Sequence, residues 1–357
     1  MKRKKLVLIE NGLHKVFRTT YDILFSLFDC TLVSSEKSTF TKKFVKVKEV
    51  CFFNDACSIY YFDLFSVLKK LKPDLISVRT WYNPFSVTAL FFSIFFKKKF
   101  VVMDEQRNNP NGALKNVLFH LWLLFVRPLI NFKVSRIVCI TQPCFDYLKK
   151  KGFKKLVYIP VPYEPRSWPK KVNNKQKKLK IICVARFDWV KAHDVLVKAV
   201  DFLIKNRKFK RSDLVVSLVG SGGKLEKQTK KLVKSLGLSD VIKFRGFIPN
   251  DELDVVYQEH NLFILSSRFE TVGMVVFEAL SNGLPVIVSS NTGAKGSIFS
   301  GKNGYIFESD DFRDLAEKIL LFKDPEKRQL FGLESIKVLK RLHDPKVIKK
   351  KYLEVFN

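Results

Sequence analysis

The sequence predicts an α/β protein built from two doubly wound parallel-sheet domains, and three observations carry that reading. Apolar runs of four to six residues alternate with longer helical patterns through the first half: LVLI from Leu6, DLISV from Asp74, KFVVM from Lys99, RIVCI from Arg136 and KLVYIP from Lys155. Short apolar strands separated by helices are what a parallel sheet covered on both faces requires. The stretch from Tyr163 to Lys178, YEPRSWPKKVNNKQKK, is rich in proline, lysine and asparagine and holds almost no core former. The alternation then restarts with LKIICVA at Leu179. A length of 357 residues suits two domains with separate cores. The expected division is an N-terminal domain over 1–165, a linker over 166–178, a C-terminal domain over 179–340, and a closing helix over 341–357 that packs back on the N-terminal domain.

In the second half the elements follow in order. Strand LKIICVA leads through a loop to helix HDVLVKAVDFLIKN. Strand DLVVSLVG, the turn GSGG and helix KLEKQTKKLVKSLGL come next, then strand VIKFRGF, helix DELDVVYQEH and strand LFILSS. A loop and helix bearing two glutamates precede strands PVIVSS and GYIFE, helix DFRDLAEKILLF and a basic closing helix pair. Two domains of this class are expected to face each other across a cleft, with ligands at the carboxyl ends of the strands.

Composition narrows the function. Net charge is +31, and residues 1–178 hold 34 Lys+Arg against 12 Asp+Glu, or +22, leaving +9 for the rest. That excess points to a polyanionic partner, such as phosphorylated substrates or an anionic membrane surface, or else to a compositional bias toward lysine. A specific nucleic-acid role is not expected, because no aromatic-basic RNA motif or recognition-helix pattern occurs. The six cysteines, at 30, 51, 57, 139, 144 and 183, form no C-x-x-C pair and no zinc-spaced set with histidine. They read as small core residues in a reducing compartment, with no metal and no cofactor implied. The opening MKRKKLVLIEN has too short an apolar run for a signal peptide and reads as a first strand. Pro84–Phe96 and Val117–Ile130 are the most apolar stretches, too short to span a bilayer, and they read as buried helices rather than membrane-surface segments. A cytoplasmic protein, peripheral at most to the inner membrane face, is expected.

The most informative pair is Glu270 and Glu278 in SSRFETVGMVVFEALSNGLPVI. Val275, Val276, Ala279 and Leu280 repeat at helical spacing, so a helix starts near Met274 with Glu278 about one turn inside and Glu270 on the loop before it. Backbone N–H groups at Gly273 and Met274 would be free to meet phosphate, and glycine lets a ligand approach the main chain. Spacing alone would not single the pair out: Glu326 and Glu334 are also eight apart, on what reads as an exposed surface helix with no glycine turn before it. In VARFDWVKAHDVL, Arg186 follows a strand and Lys191 comes five residues later, two cations suited to a diphosphate, with solvated surface charge as the alternative on this segment alone. GSGGKLEKQ from Gly220 lacks a P-loop ending and reads as a tight turn. No H-E-x-x-H, G-x-S-x-G or Asp-rich metal loop occurs, and the five histidines are scattered. One glutamate on a loop and one inside the next helix suit two parts of one ligand, with Glu278 accepting hydrogen bonds from ribose hydroxyls and Glu270 facing a sugar.

From about Lys178 to Leu330 the order VARFDWVKAHDVLVKA, LVGSGGKLEKQ, VIKFRGFIPNDEL, SSRFETVGMVVFEALSNGLPVI and GKNGYIF resembles the retaining GT-B glycosyltransferases of family 4. The resemblance implies two Rossmann-like domains, N-terminal for the acceptor and C-terminal for the nucleotide sugar. It implies that Arg186 and Lys191 hold the donor diphosphate, that Glu278 binds the ribose, that Glu270 contacts the donor sugar, and that Gly273 and Met274 amides meet phosphate. Val272 and Phe247 of the matching motifs join the donor site, as do Asn11 and Gly12, which stand for a glycine-rich loop after the first strand. Ala185 and Ala192 replace glycines usual in this pattern, and Val272 stands where an aromatic is common. A histidine often found after the middle strand is absent; KKFVVMDEQRNNP offers Asp104, Glu105, Gln106 and Arg107 there, and which of them takes its place stays open.

The implied function is metal-independent transfer of a sugar from a nucleotide-diphosphate donor to an acceptor, lipid-linked or a growing glycan, with retention of configuration. A GT-B phosphorylase or sugar-nucleotide epimerase would share the fold, and a basic nucleic-acid-binding protein is the non-enzyme alternative.

Overall fold

Parallel strands read as unbroken apolar runs because both faces of their sheet are covered, and the strands of this chain obey that rule. In the computed structural model the described residues are 3–10, 17–34, 43–47, 49–51, 59–61, 63–105 and 113–357. The chain divides into two units, Met1–Pro162 with Asp344–Asn357, and Tyr163–His343.

Unit 1 contains β1 (Lys5–Ile9), α1 (Arg18–Leu27), β2 (Asp29–Ser34), β3 (Phe44–Lys46), β4 (Glu49–Cys51), β5 (Ile59–Tyr61), α2 (Leu64–Leu71), β6 (Leu75–Arg79), α3 (Pro84–Phe95), β7 (Lys99–Asp104), α4 (Ala113–Lys133), β8 (Arg136–Cys139), α5 (Gln142–Lys150) and β9 (Leu156–Tyr158). Its main sheet has the order β3-β2-β1-β6-β7-β8-β9, every pair parallel, so the winding reverses between β1 and β6. β4 and β5 form a separate antiparallel pair. The strand β2 is absent from the sequence reading. DCTLVS opens on a half-exposed aspartate and alternates before it becomes fully buried, so it lacks the continuous apolar run by which its neighbours are read.

Pro84–Phe96 and Val117–Ile130 are helical but not buried all round, which corrects the expectation. α4 packs Phe119, Leu123, Val126 and Ile130 into the unit 1 core, whereas Val117, Leu121, Leu124 and Phe125 on its other face are exposed. A helix apolar on every side gives only one side to the core of a thin α/β layer.

Unit 2 contains β10 (Leu179–Val184), a 3-10 turn (Trp189–Lys191), α6 (His193–Lys205), a second 3-10 turn (Arg211–Asp213), β11 (Leu214–Val219), α7 (Glu226–Ser235), β12 (Ile242–Gly246), α8 (Leu253–Gln258), β13 (Leu262–Leu265), α9 (Met274–Ser281), β14 (Val286–Ser289), a third 3-10 segment (Gly293–Ser297), β15 (Gly304–Phe307), α10 (Phe312–Leu320) and α11 (Pro325–His343). The order is β12-β11-β10-β13-β14-β15, again all parallel, reversing between β10 and β13. Residues 166–178, expected as linker, lie within unit 2. Asn174 is buried there, its amide donating to the Gly283 carbonyl at 2.7 Å and the Arg328 carbonyl at 3.3 Å. The Glu326 carboxylate pairs with Lys175 and Glu334 with Lys337 at the surface of α11, whose other face buries Phe331, Val338 and Leu339. The last helix, α12 (Pro345–Phe356), belongs to unit 1, where Phe356 lies 5.7 Å from Phe28, ring to ring.

Candidate active site

In an open parallel sheet, the loops that leave the two central strands in opposite directions open a crevice at the carboxyl edge. In unit 2 those loops are the one after β10, carrying Arg186 and Lys191, and the one after β13, carrying Glu270. Backbone and side-chain bonds tie them together. The Arg268 N–H donates to the Val190 carbonyl at 2.8 Å, and the Ser266 hydroxyl lies 3.1 and 3.0 Å from the Lys191 and Ala192 carbonyl oxygens. Arg268 goes further: its guanidinium donates to the Trp189 carbonyl at 2.8 Å, pairs with Asp194 at 2.9 Å and Asp310 at 2.6 Å, and stacks over the Trp189 ring at 4.9 Å. Burial opposes the Arg268 charge, but those two carboxylates hold its pKa above the usual arginine value.

The result is that Lys191 forms an ion pair with Glu270, at side-chain exposures of 20% and 19%, half-sheltered but within reach of a ligand. Glu270 is itself fixed. It bridges to Thr292 in a parallel arrangement, and its carbonyl accepts from the Gly293 N–H at 2.8 Å. Gly273 completes the cluster in a left-handed conformation, φ +85°; a Cβ there would stand 3.2 Å from the Glu270 Cγ and 3.3 Å from the Thr292 methyl. Gly293 is tighter still, since a Cβ would fall 1.8 Å from the Thr271 carbonyl oxygen.

Gly273 caps α9 without any side-chain hydrogen bond, unlike α10, where Asp311 accepts from the Arg313 and Asp314 N–H groups at 2.9 and 3.0 Å. The Val276 N–H turns back to the Gly273 carbonyl at 2.9 Å, but no cap side chain competes for the Gly273 and Met274 amides, which face another acceptor together with the positive dipole end of α9.

Glu278 belongs to a second cluster in the same helix. The Tyr257 hydroxyl donates to it at 2.9 Å, and burial raises its pKa above the ordinary carboxylate value of 4.5, against the pull of Tyr257 and Arg166. Arg166, from the stretch read as linker, makes a two-pronged pair with Asp254 at 3.0 and 2.9 Å. Arg186 stands apart from Lys191. Its side chain is 76% exposed and pairs with Asp188 at 3.0 Å. Phe247 is exposed after β12 and Val272 is buried before α9. Asn11, Gly12, Gln106 and Arg107 lie outside the described residues. In unit 1, Glu105 pairs with the buried Arg79 at 3.3 Å.

The GSGG segment is a turn locked to the loop after β10. The Phe187 N–H donates to the Gly222 carbonyl at 3.1 Å, and Cβ atoms at Gly220 and Gly223 would collide with the Ala185 and Phe187 carbonyls at 2.2 and 2.5 Å. Beside it, His193 is buried, stacked on Phe187 at 4.4 Å between centroids, with no hydrogen bond to Nε2; burial pushes its pKa down to about 4, so the ring is neutral near pH 7. It borders a cavity of about 400 Å³ also lined by Asp188, Trp189, Thr229 and Arg268. Arg268, Tyr257 and Arg166 are the site residues that sequence reasoning missed; only Arg268, a cation two residues before Glu270 at a strand end, left a signal.

Residues 165–337 match the family model described as Glycosyl transferases group 1. Mannosylfructose-phosphate synthase of Agrobacterium fabrum is 29% identical over 155 residues, 43% of this chain and 34% of the relative. A D-inositol 3-phosphate glycosyltransferase of Streptomyces avermitilis is 33% identical over 143 residues, 39% of this chain and 31% of its own length. The chain thus spans about a third of the length of these curated relatives. The crystal structure of Anabaena Alr3699/HepE in complex with UDP superposes with a TM-score of 0.76 at 16% identity, covering 98% of both chains. The chain has the GT-B fold, and its stretch of likeness to the glycosyl transferases group 1, residues 165–337, takes in nearly all of unit 2.

Proposed function

We propose that this protein is a glycosyltransferase that moves a sugar from a nucleoside-diphosphate donor to an acceptor hydroxyl with retention of configuration, without a metal ion. The observation that carries the reading is the Lys191–Glu270 pair set at the uncapped start of α9, on the carboxyl edge where the unit 2 sheet reverses.

The chemistry follows from these groups. A diphosphate leaving group gains charge as the sugar–oxygen bond breaks. Lys191, the Gly273 and Met274 amides and the α9 dipole offset that charge, the work a metal performs elsewhere. Arg186, exposed at the surface, exchanges Asp188 for the diphosphate. Lys191 leaves Glu270 for phosphate, which frees the Glu270 carboxylate to accept from sugar hydroxyls. Glu278 takes the ribose hydroxyls, for which it must be ionised. The acceptor attacks from the face that the diphosphate leaves, and a phosphate oxygen assists removal of its proton. Arg268 acts as a positioning residue for the turn that carries Lys191. UDP in the HepE crystal structure supports a uridine nucleotide as the donor, and the excess of cations in residues 1–178 supports a phosphorylated or lipid-linked acceptor.

A panel of nucleotide sugars incubated with polyprenyl-phosphate and simple glycan acceptors tests this. The expected result is release of nucleoside diphosphate that depends on acceptor, with the anomeric configuration kept in the product by NMR. Release of sugar 1-phosphate with inorganic phosphate, or a changed sugar nucleotide without acceptor, would move the assignment to a phosphorylase or an epimerase.

A further inference from the structure

The outer surface of α3 and α4 has no role in the site, yet its chemistry is distinctive. On α4, Val117, Leu121, Leu124, Phe125 and Phe132 are exposed, and their spacing makes one stripe down the helix; Phe125 and Phe132 are 72% and 79% exposed. On α3, packed beside it, Phe91 and Phe95 repeat the pattern one turn apart, with Phe95 at 76%. Single exposed apolar residues need no explanation, but a contiguous ridge of aromatics marks an interaction surface.

The charge on these two helices has one sign. No Asp or Glu occurs between Asp74 and Asp104 or between Glu105 and Asp146, so neither helix contains an acid. α3 runs into β7 and α4 into β8, neighbouring parallel strands, so the carboxyl ends of both helices lie at the edge where the strands begin. There Lys97, Lys98, Lys133 and Arg136 flank the ridge. Along the same edge a cavity of about 570 Å³ is lined by Arg3, Lys4, Lys5, Lys72, Lys99 and Asp74. The Asp74 carboxylate already accepts from the Lys5 N–H at 2.9 Å. Lys99 has its pKa lowered by burial and by the like charges of Lys4 and Arg136, the mark of a crowded cationic rim.

We propose that the outer face of α3 and α4, with the cationic rim at the strand starts, docks unit 1 onto an anionic lipid bilayer. Aromatic side chains enter the headgroup boundary while the rim meets lipid phosphates, the pairing that holds an interfacial helix in the plane of a membrane. No helix among the described residues is long and apolar enough to cross one. A second copy of the chain fits the face poorly, because a two-fold contact would set the cationic rim against itself. The inference stands on this surface alone and does not depend on the glycosyltransferase reading.

The test is sedimentation of the full chain with phosphatidylcholine vesicles and with equimolar phosphatidylglycerol/phosphatidylcholine vesicles, with UDP affinity measured on the same preparations. The wild type is expected to pellet with the anionic vesicles and to be released by salt. The Phe95→Ser/Phe125→Ser/Phe132→Ser variant should lose at least ~10-fold in partition, and Lys97→Glu/Lys98→Glu/Lys133→Glu a similar factor, while the Tm and UDP affinity of both stay at wild-type values because the three Phe and Lys97 are exposed, Lys98 and Lys133 are partly exposed, and all are remote in sequence from the unit 2 site. Three outcomes would overturn the proposal: equal binding to neutral vesicles, retained binding by both variants, or a wild-type dimer in sedimentation velocity that the serine variant dissolves without any vesicle binding.

Discussion

The two units reverse their winding at the same topological place and use it in opposite ways. In unit 1, Glu10 follows β1 and Arg79 is the last residue of β6, both side chains are 4% exposed, and the Arg79 guanidinium lies 3.5 Å over the Phe17 ring. Tyr21 donates to Glu10, and Glu105 takes the other side of Arg79 at 3.3 Å. Those crevice walls are joined by a buried ion cluster. In unit 2 the equivalent edge is built from glycine turns, a 3-10 turn and an uncapped helix, and its ion pair stays about one-fifth exposed. Glycine tells the two apart in the sequence: of 15, only Gly12, Gly112 and Gly152 fall outside Tyr163–His343. A doubly wound sheet supplies the crevice, and backbone without Cβ atoms decides whether a phosphate can reach its floor.

The comparison breaks most readily at Arg79. Removing it leaves the Glu10 carboxyl buried without its cation, and burial already raises the Glu10 pKa despite Arg79. Arg79→Ala is expected to cost about 3–5 kcal/mol in urea unfolding followed by unit 1 probes, with UDP affinity unchanged. If UDP affinity fell in step with stability, the two crevices would not be doing separate work.

In unit 2 the same logic applies to space rather than charge. Gly293→Ala puts a methyl against the Thr271 carbonyl and must shift the loop that holds Glu270, so we expect a loss of about 2 kcal/mol in stability together with a clear loss of donor affinity. Wild-type affinity in a folded Gly293→Ala protein would show that the loop position is unimportant for the ligand.

Two pH effects, of smaller size, sharpen the contrast further. His193 has a folded pKa near 4 against an ordinary 6.5, so the unfolded chain takes up its proton first, and stability is lost as pH falls through the window from about 6.5 to about 4. His193→Phe should flatten that part of a Tm–pH profile. Glu278 shifts the other way: its pKa is raised, so its contribution to stability is full below 4.5 and is lost as pH rises through the folded value, while ribose binding needs the ionised form and improves over the same rise. Donor affinity should therefore weaken on acidification at a pH above the ordinary carboxylate range, and Glu278→Gln should remove that dependence at lower affinity throughout.

Much of this architecture is legible in the residues. LKIICV is apolar at nearly every position and is buried at nearly every position, and the glycine before MVVFEALS marks both the start of α9 and its left-handed cap. What escaped reading is what depends on partners distant in the chain. Arg166 finds Asp254 across 88 positions and Arg268 finds Asp194 across 74, so no local period announces either bond. β2 was hidden by its polar first residue. The expectation of a buried α4 failed because composition reports how apolar a helix is, not how many of its faces a core can cover. Arg186 shows a different limit: the motif names it, and in the structure its side chain is exposed and pairs with Asp188 rather than with the Lys191–Glu270 cluster.

Isothermal titration of UDP into the wild type and Lys191→Ala in one buffer bears most directly on the claim that this cation and the start of α9 form a diphosphate site. The account predicts measurable binding by the wild type and at least a ~10-fold weaker association in the variant, with its Tm unaltered. Equal affinity in the two proteins would contradict it.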